Sequence, residues 1–403
     1  MECLRKPGLN REINTGADTG TNTDVGTDTN AITDTNTLEA LLKLKIDRPD
    51  EEIRRRVLAN WDHVAKPLNG MGRFEALVAQ IGAASRRERP DIGKKAVIIM
   101  CADNGIVAEG ISQSGQEVTF AVAKNMAKRK SSVGRMAERI GADTIPVDIG
   151  MNCKETIPGV LERKIRCGTR NFNVEPAMTQ EEALKAIFTG IRLAADCKEK
   201  GYGILATGEM GIGNTTTSSA VAAALLGCDV SEVTGRGAGL CDEKLAHKRE
   251  VIARALERYH LKETEEEKAE GMEMKALRIL EAVGGFDIGG LAGVCMGGAL
   301  FHIPVVLDGV ISMVAALLAE RILPGTCGYL ISSHKGKEPA MEKICRELGL
   351  RPVIEGEMAL GEGTGAVMML SLLDLALAVY EDGATFSDIR IAQYERYEKE
   401  EYG

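Results

Sequence analysis

From residue 95 onward the chain alternates short, largely apolar runs with longer stretches in which apolar residues recur every three or four positions. The runs lie at 96–101 (AVIIMC), 144–150, 202–208, 304–307 and 328–332. A strand with one wet face would alternate apolar with polar residues, whereas an unbroken run predicts a strand covered on both sides. The stretches between, 117–140 and 181–198 among them, predict helices. Strand alternating with helix predicts an α/β fold, here a Rossmann-like parallel sheet with helices on both faces. Ligands of such sheets bind beyond the carboxyl ends of the strands, and most of the unusual sequence lies there.

Helical spacing also precedes the first strand and follows the last. Ile53, Val57, Leu58, Trp61 and Val64 fall on one face of a helix between Pro49 and Pro67, and a second helix runs through Phe74, Leu77, Val78 and Ile81. Residues 363–380 are apolar nearly all round, which predicts a buried helix, with a subunit interface as one way of burying it. These segments predict a small helical domain assembled from 38–90 and 363–403 beside an α/β catalytic domain over 91–362. Before them, nine of the 23 residues at 15–37 are threonine and almost none is bulky and apolar. Such a segment buries too little surface to offset its ordering entropy, so residues 1–37 are expected to form a disordered tail.

Composition narrows the function. The 403 residues are 44% hydrophobic and 27% charged, as in ordinary globular proteins. A net charge of −9 disfavours a nucleic-acid partner, and 4% aromatics make a poor base-stacking platform. The ten cysteines contain no Cys-x-x-Cys pair, so zinc and redox spacings are absent and they read as small buried hydrophobes in a reducing cytosol. The N-terminus has no apolar core of signal-peptide length, and the uncharged stretch 288–307 is broken by Pro304. A cytoplasmic protein without a membrane partner is expected.

Seven loops hold candidate chemistry. Residues 102–112 carry Asp103, Glu109 and Ser112 together with two glycines, either a capped turn or a ligand loop. In 207–219, Gly211 and Gly213 allow close backbone approach, and Asn214, Thr215 and Thr216 open a helix whose N–H groups suit an anion; a glycine-rich turn without a ligand is the other reading. Gly208 and Gly213 have the spacing of a nucleotide-binding P-loop, but Asn214 stands where that motif needs lysine. A kinase or NTPase reading therefore lacks its β/γ-phosphate contact, and a monophosphate fits better. Residues 235–242 and the helix after them offer Arg236 and Lys248 as positive charge. The late groups are 284–290, 307–309 and 332–339, and then 360–366, where Glu362 lies between glycines ahead of the apolar helix. A carboxylate there is either a first-turn acid or a general base in a buried setting.

In order, the lysine-proline-glycine turn at 66–73, ADNGIVAEGIS (102–112), GEMGIGNTTTSSA (208–220), GRGAGL (235–240) with a later lysine, GGFDIGGLAG (284–293), LDGV (307–310), SSHKGKEP (332–339) and LGEGTGA (360–366) resemble the nicotinate-nucleotide–dimethylbenzimidazole phosphoribosyltransferases of cobamide assembly. The resemblance covers roughly 50–380. It implies that nicotinate mononucleotide and an azole base give an α-ribotide and free nicotinate, with inversion at C1′ and with neither metal nor cofactor. The pyridinium nitrogen leaves as a neutral ring and needs little acid assistance. Residue by residue, it implies Glu362 as general base and Glu209 as a second functional carboxylate. Gly211, Gly213, Asn214, Thr215 and Thr216 would hold the 5′-phosphate, which Lys248 would pair with. Asp103 and Ser112 would lie near the base pocket, and the molecule would be a homodimer. The chain departs from its relatives at Phe120 and Ala121, where glutamine often stands, and at Gly336, where a small hydroxyl residue is frequent. A non-catalytic binder of a cobamide precursor is the alternative from another class, and retention of Glu209, Lys248 and Glu362 argues against it.

Overall fold

The computed structural model describes residues 36–261 and 271–396. The expected tail therefore lies outside the described residues except for Asn36 and Thr37, and Thr37 caps a short helix, α1 (Leu38–Leu42). Six strands form one sheet: β1 (Lys95–Ala102), β2 (Asp143–Gly150), β3 (Leu161–Glu162), β4 (Ile204–Met210), β5 (Val305–Leu307) and β6 (Leu330–Ser332). Their order is β3-β2-β1-β4-β5-β6 and every pairing is parallel. The order reverses between β1 and β4, which opens a crevice at their carboxyl ends.

The apolar runs are buried on both faces, as their pattern requires. In β1, Ala96, Ile98 and Met100 enter one core while Val97, Ile99 and Cys101 enter the other. The first core is closed by α6 (Gln180–Glu199), α7 (Asn214–Leu226), α8 (Asp242–Arg258), α9 (Met272–Val283), α10 (Phe286–Leu300), α11 (Val310–Ile322) and α12 (Ala340–Leu348). The second is closed by α2 (Glu51–His63), α3 (Arg73–Ser85), α4 (Glu117–Ala127), α5 (Ser132–Arg139) and α13 (Thr364–Asp382). The terminal segments thus pack on the sheet and on one another. The Trp61 and Tyr380 rings lie 5.0 Å apart, and Asn60 donates to the Tyr380 hydroxyl at 3.1 Å.

Two expectations change. The single helix read over 117–140 is two, because Arg129 turns left-handed (φ 53°) and Ser131 caps α5 by accepting the Gly134 N–H at 3.2 Å. Both halves keep the amphipathic period, so the break leaves no mark on it. The helix expected to be buried all round, α13, buries its inner side against the sheet but leaves Met368 and Leu375 exposed, 43% and 63%. It is long and apolar enough to cross a membrane, and more than half of it is instead buried inside the fold.

Every residue of α10 is buried, between β1, β2 and β4 on one side and α6 on the other. The two helices approach at glycines: a Cβ on Gly293 would lie 2.0 Å from the Ile187 carbonyl oxygen, and one on Gly190 2.0 Å from that of Gly290. Neither backbone can yield without parting the helices. Gly293→Ala should therefore cost about 1–3 kcal/mol in a urea melt, the usual range for overpacking a tight core. A change within about 0.5 kcal/mol, as at indifferent surface sites, would contradict this close crossing.

Candidate active site

The site is built on the loop that leaves β4. The chain passes Glu209 and Met210, turns through Gly211, Ile212 and Gly213 (φ 97°), and enters α7 at Asn214. A relay from β1 holds the turn from beneath. The Ile212 N–H donates to Thr119 Oγ1 at 3.2 Å, and that hydroxyl donates to Asp103 Oδ1 at 2.6 Å. Asp103 Oδ2 accepts the Asn152 N–H at 2.8 Å. Burial pushes Asp103 up to about 6, with Thr119 and Asn152 restraining the rise. Its carboxylate thus supports the loop from behind.

Three hollows meet around Thr215. The largest, about 210 Å³, runs along the ends of β4, β5 and β6, where Glu209, Asn214, Asp308, His334 and Glu338 line it with residues 358–361. A second, about 110 Å³, lies at the β1–β4 reversal and is walled by Ser112, Gly211, Gly213, Asn214 and Arg236. The third is small and contains Lys248 with Ser218, Ser219 and Gly235. Lys248 is 1% exposed, and its ammonium donates to Thr215 Oγ1 at 3.0 Å and to the Gly235 carbonyl at 3.3 Å. It forms no ion pair among the described residues, and burial pulls it down to about 8 against the opposing charge of Glu338. A buried cation beside a hydroxyl and the first turn of a helix is chemistry suited to an anion.

Glu209 stands in the floor of the large cleft, where Oε2 accepts the Asn214 side-chain N–H. Burial pushes it up to about 8; the Asn214 amide and the backbone N–H of Glu362 hold it back, while Asp287 and Asp308 push the same way as burial. Asp287 lies fully buried, accepts the Ile288 N–H at 3.0 Å, and is itself raised to about 6 by burial. Among the described residues no group of three or more His, Cys, Asp or Glu is placed to hold a metal ion.

Glu362 follows Gly361 (φ 79°), is itself left-handed (φ 61°), and precedes Gly363 (φ 97°). Its Oε2 accepts the Val133 N–H at 3.1 Å, at the start of α5. The carboxylate is therefore at that helix's positive end, whereas Leu360 and Gly361 line the large cleft beside Glu209.

The structure thus brings Glu209, Gly211, Asn214, Thr215 and Lys248 together around the large cleft and its annex, with Gly213 and Ser112 in the adjoining hollow. Thr216 is fully buried in α7 with its hydroxyl unpartnered, Asp103 lies behind the loop, and the Glu362 carboxylate faces α5. Arg236 is tied to Asp242 and to the Leu240 carbonyl. Cys241 stands at the N-cap of α8. Asp308, His334 and Glu338 also line the cleft; they lie in the loops 307–309 and 332–339 that the sequence singles out, but the sequence gives them no individual role. Their signal was position: each lies in or just after a loop at the end of a buried strand.

The Glu209 shift has a sign that can be measured. A carboxyl raised when folded binds its proton more tightly in the native state, so its contribution to stability is full below the ordinary glutamate range and is lost as pH rises through about 8. Glu209→Gln lacks that loss. In thermal melts the variant's midpoint should rise relative to the parent as pH increases from about 5 to 9; a difference that does not change with pH would refute the raised carboxyl.

A phosphoribosyltransferase family model matches residues 46–391. The nicotinate-nucleotide–dimethylbenzimidazole phosphoribosyltransferase of Ruminiclostridium cellulolyticum is 41% identical over 347 residues, spanning 86% of this chain and 96% of that one. The enzyme of the same name from Acetivibrio thermocellus is 40% identical over 347 residues, 86% of this chain and 95% of that one. The crystal structure of CobT from Thermus thermophilus superposes with a TM-score of 0.78 at 35% identity, covering 85% of this chain and 100% of that one.

Proposed function

The chain belongs to the nicotinate-nucleotide–dimethylbenzimidazole phosphoribosyltransferase family, and we propose on that premise that it transfers the phosphoribosyl group of nicotinate mononucleotide to 5,6-dimethylbenzimidazole or a related base. The products are α-ribazole 5′-phosphate and nicotinate, and the step builds the lower-ligand nucleotide loop of a cobamide. The observation that carries the reading is Lys248, a buried ammonium bonded to Thr215 where the third hollow adjoins the cleft.

In this reading the 5′-phosphate lies against Lys248, Thr215 and the start of α7, displacing no carboxylate because the ammonium has none within ion-pair reach among the described residues. The ribose then extends over Glu209 and Asn214. One ring nitrogen of the azole forms a bond to C1′ as the C1′–pyridinium bond breaks, and that electron pair returns to the nicotinate nitrogen. Attack opposite the leaving ring converts β to α. The azole's other nitrogen must lose a proton, and Glu362 takes it. The Val133 N–H gives the carboxylate a fixed orientation before it does so. Glu209, largely protonated at neutral pH because burial raises it to about 8, adds no full negative charge beneath the ribose hydroxyls and can donate to them. Asp103 acts on the site through Thr119 and the Ile212 amide.

A homodimer fits the outer side of α13, where Met368 and Leu375 are exposed and Leu372 lies between them at helical spacing. The substrates are small and polar, and a cytoplasmic setting suits them.

Two substitutions should separate chemistry from binding. Glu362→Gln should lower kcat by roughly 10²–10⁴, the usual range for a positioned general base, while KM for nicotinate mononucleotide stays near the parent value. Lys248→Ala should raise that KM by about tenfold or more, as expected for a charge-assisted hydrogen bond. Steady-state release of nicotinate reads both. Parent-like kcat in the first would remove Glu362 as the base, and parent-like KM in the second would remove Lys248 from the phosphate site.

A further inference from the structure

Glu362 lies in no regular element, and its backbone is in a region that costs a non-glycine residue about 1–2 kcal/mol. Something must hold it there. One end of its side chain is fixed by Val133, and the backbone that follows is gripped from β5. Asp308, the first residue after β5, is 2% exposed. Its Oδ2 accepts the Gly363 N–H at 3.0 Å, and its Oδ1 accepts the N–H groups of Gly365 at 2.8 Å and Ala366 at 3.2 Å. Gly363, the N-cap of α13, has no side chain to do this, so the cap comes from a different strand. Asp308 is itself fixed: its N–H donates to Thr207 Oγ1 at 3.2 Å, and that hydroxyl donates to Ser312 Oγ at 2.9 Å. Its contact with α13 leaves no room for a side chain at 365, where a Cβ would lie 2.0 Å from His334 Nδ1 and 3.0 Å from Asp308 Oδ1.

We propose that Asp308 is a positioning residue for the transfer reaction, its carboxylate gripping the amides of Gly363, Gly365 and Ala366 so that Glu362 is held where it removes the proton from the attacking base. This rests on the reading of Glu362 as that base. A carboxylate that merely capped α13 would affect stability and leave the proton-transfer step alone, and kinetics separates the two roles.

The test compares Asp308→Asn with Glu362→Gln, using 5,6-dimethylbenzimidazole and 5-nitrobenzimidazole, whose ring N–H is more acidic and depends less on a base. Asparagine keeps the shape but sets an amide donor against one of the gripped N–H groups. With dimethylbenzimidazole, Asp308→Asn should lower kcat by about tenfold or more while KM for nicotinate mononucleotide stays within about twofold, a loss inside the range of general-base catalysis. With the nitro base both variants should lose less. Parent-like kcat in Asp308→Asn would overturn the proposal, as would an equal loss with both bases when Glu362→Gln distinguishes them. If Glu362→Gln itself turns over normally, the assignment of the base falls first and the proposal falls with it. Should Asp308→Asn fail to fold, Gly365→Ala replaces it: the added Cβ forces the segment away from His334 and Asp308, and the same kinetic pattern is expected, with parent-like kcat overturning the idea.

Discussion

At the end of β5 one buried carboxylate meets three backbone amides, and the arrangement of the site follows from that contact. Helix starts preceded by glycines commonly bind external anions. Here two such starts stand side by side and are used differently. The one after β4, at α7, opens onto the hollow holding Lys248 and remains available to a phosphate. The one at α13 is filled by the protein's own Asp308. Filling it converts an anion site into an anchor, and the residue anchored is Glu362. Glu209 borders the same loop, where a Cβ on Gly361 would lie 2.4 Å from its Oε1, so acids from two adjacent strands flank one loop.

The electrostatics follow from the same crowding. Asp287 and Asp308 lie close enough to push Glu209 up, and burial raises all three, Glu209 to about 8 and each aspartate to about 6. Lys248 sits in its own hollow, pulled down to about 8 by burial. The cleft therefore has a floor that is partly protonated near neutrality and a separate cationic annex. That division suits a substrate with a dianionic phosphate at one end and a departing pyridinium at the other: the phosphate meets positive charge and donors, and the ribose meets carboxyl groups that are not fully ionised.

The sheet was legible because strands covered on both faces are continuous apolar runs, and β1 carries the pattern in full. β3, two residues long, is too short to leave one. The interruption between α4 and α5 was invisible because Arg129, not a glycine or proline, takes the left-handed turn. The loops were legible as loops, and the order of their motifs pointed to the family. Side-chain direction was not. Asp103 follows a strand end, as a ligand-binding acid would, yet its partners are Thr119 and the Asn152 amide, 16 and 49 residues away. Asp308 stood in plain view in LDGV, but the amides that define its role begin 55 residues later. Glu362 was marked by its flanking glycines, while its Val133 partner lies 229 residues earlier. Local pattern identifies which segments are unusual; the pairing across strands that gives each acid its task appears only when the sheet is assembled.

The central claim is that a phosphoribosyl group anchored at Lys248 passes from one nitrogen heterocycle to another with inversion. Proton NMR of the purified chain incubated with nicotinate mononucleotide and 5,6-dimethylbenzimidazole tests it most directly. The account predicts one nicotinate released for each ribotide formed, with the anomeric signal of the α configuration. Nicotinate release without ribotide, a β product, or no reaction of the pair would contradict it.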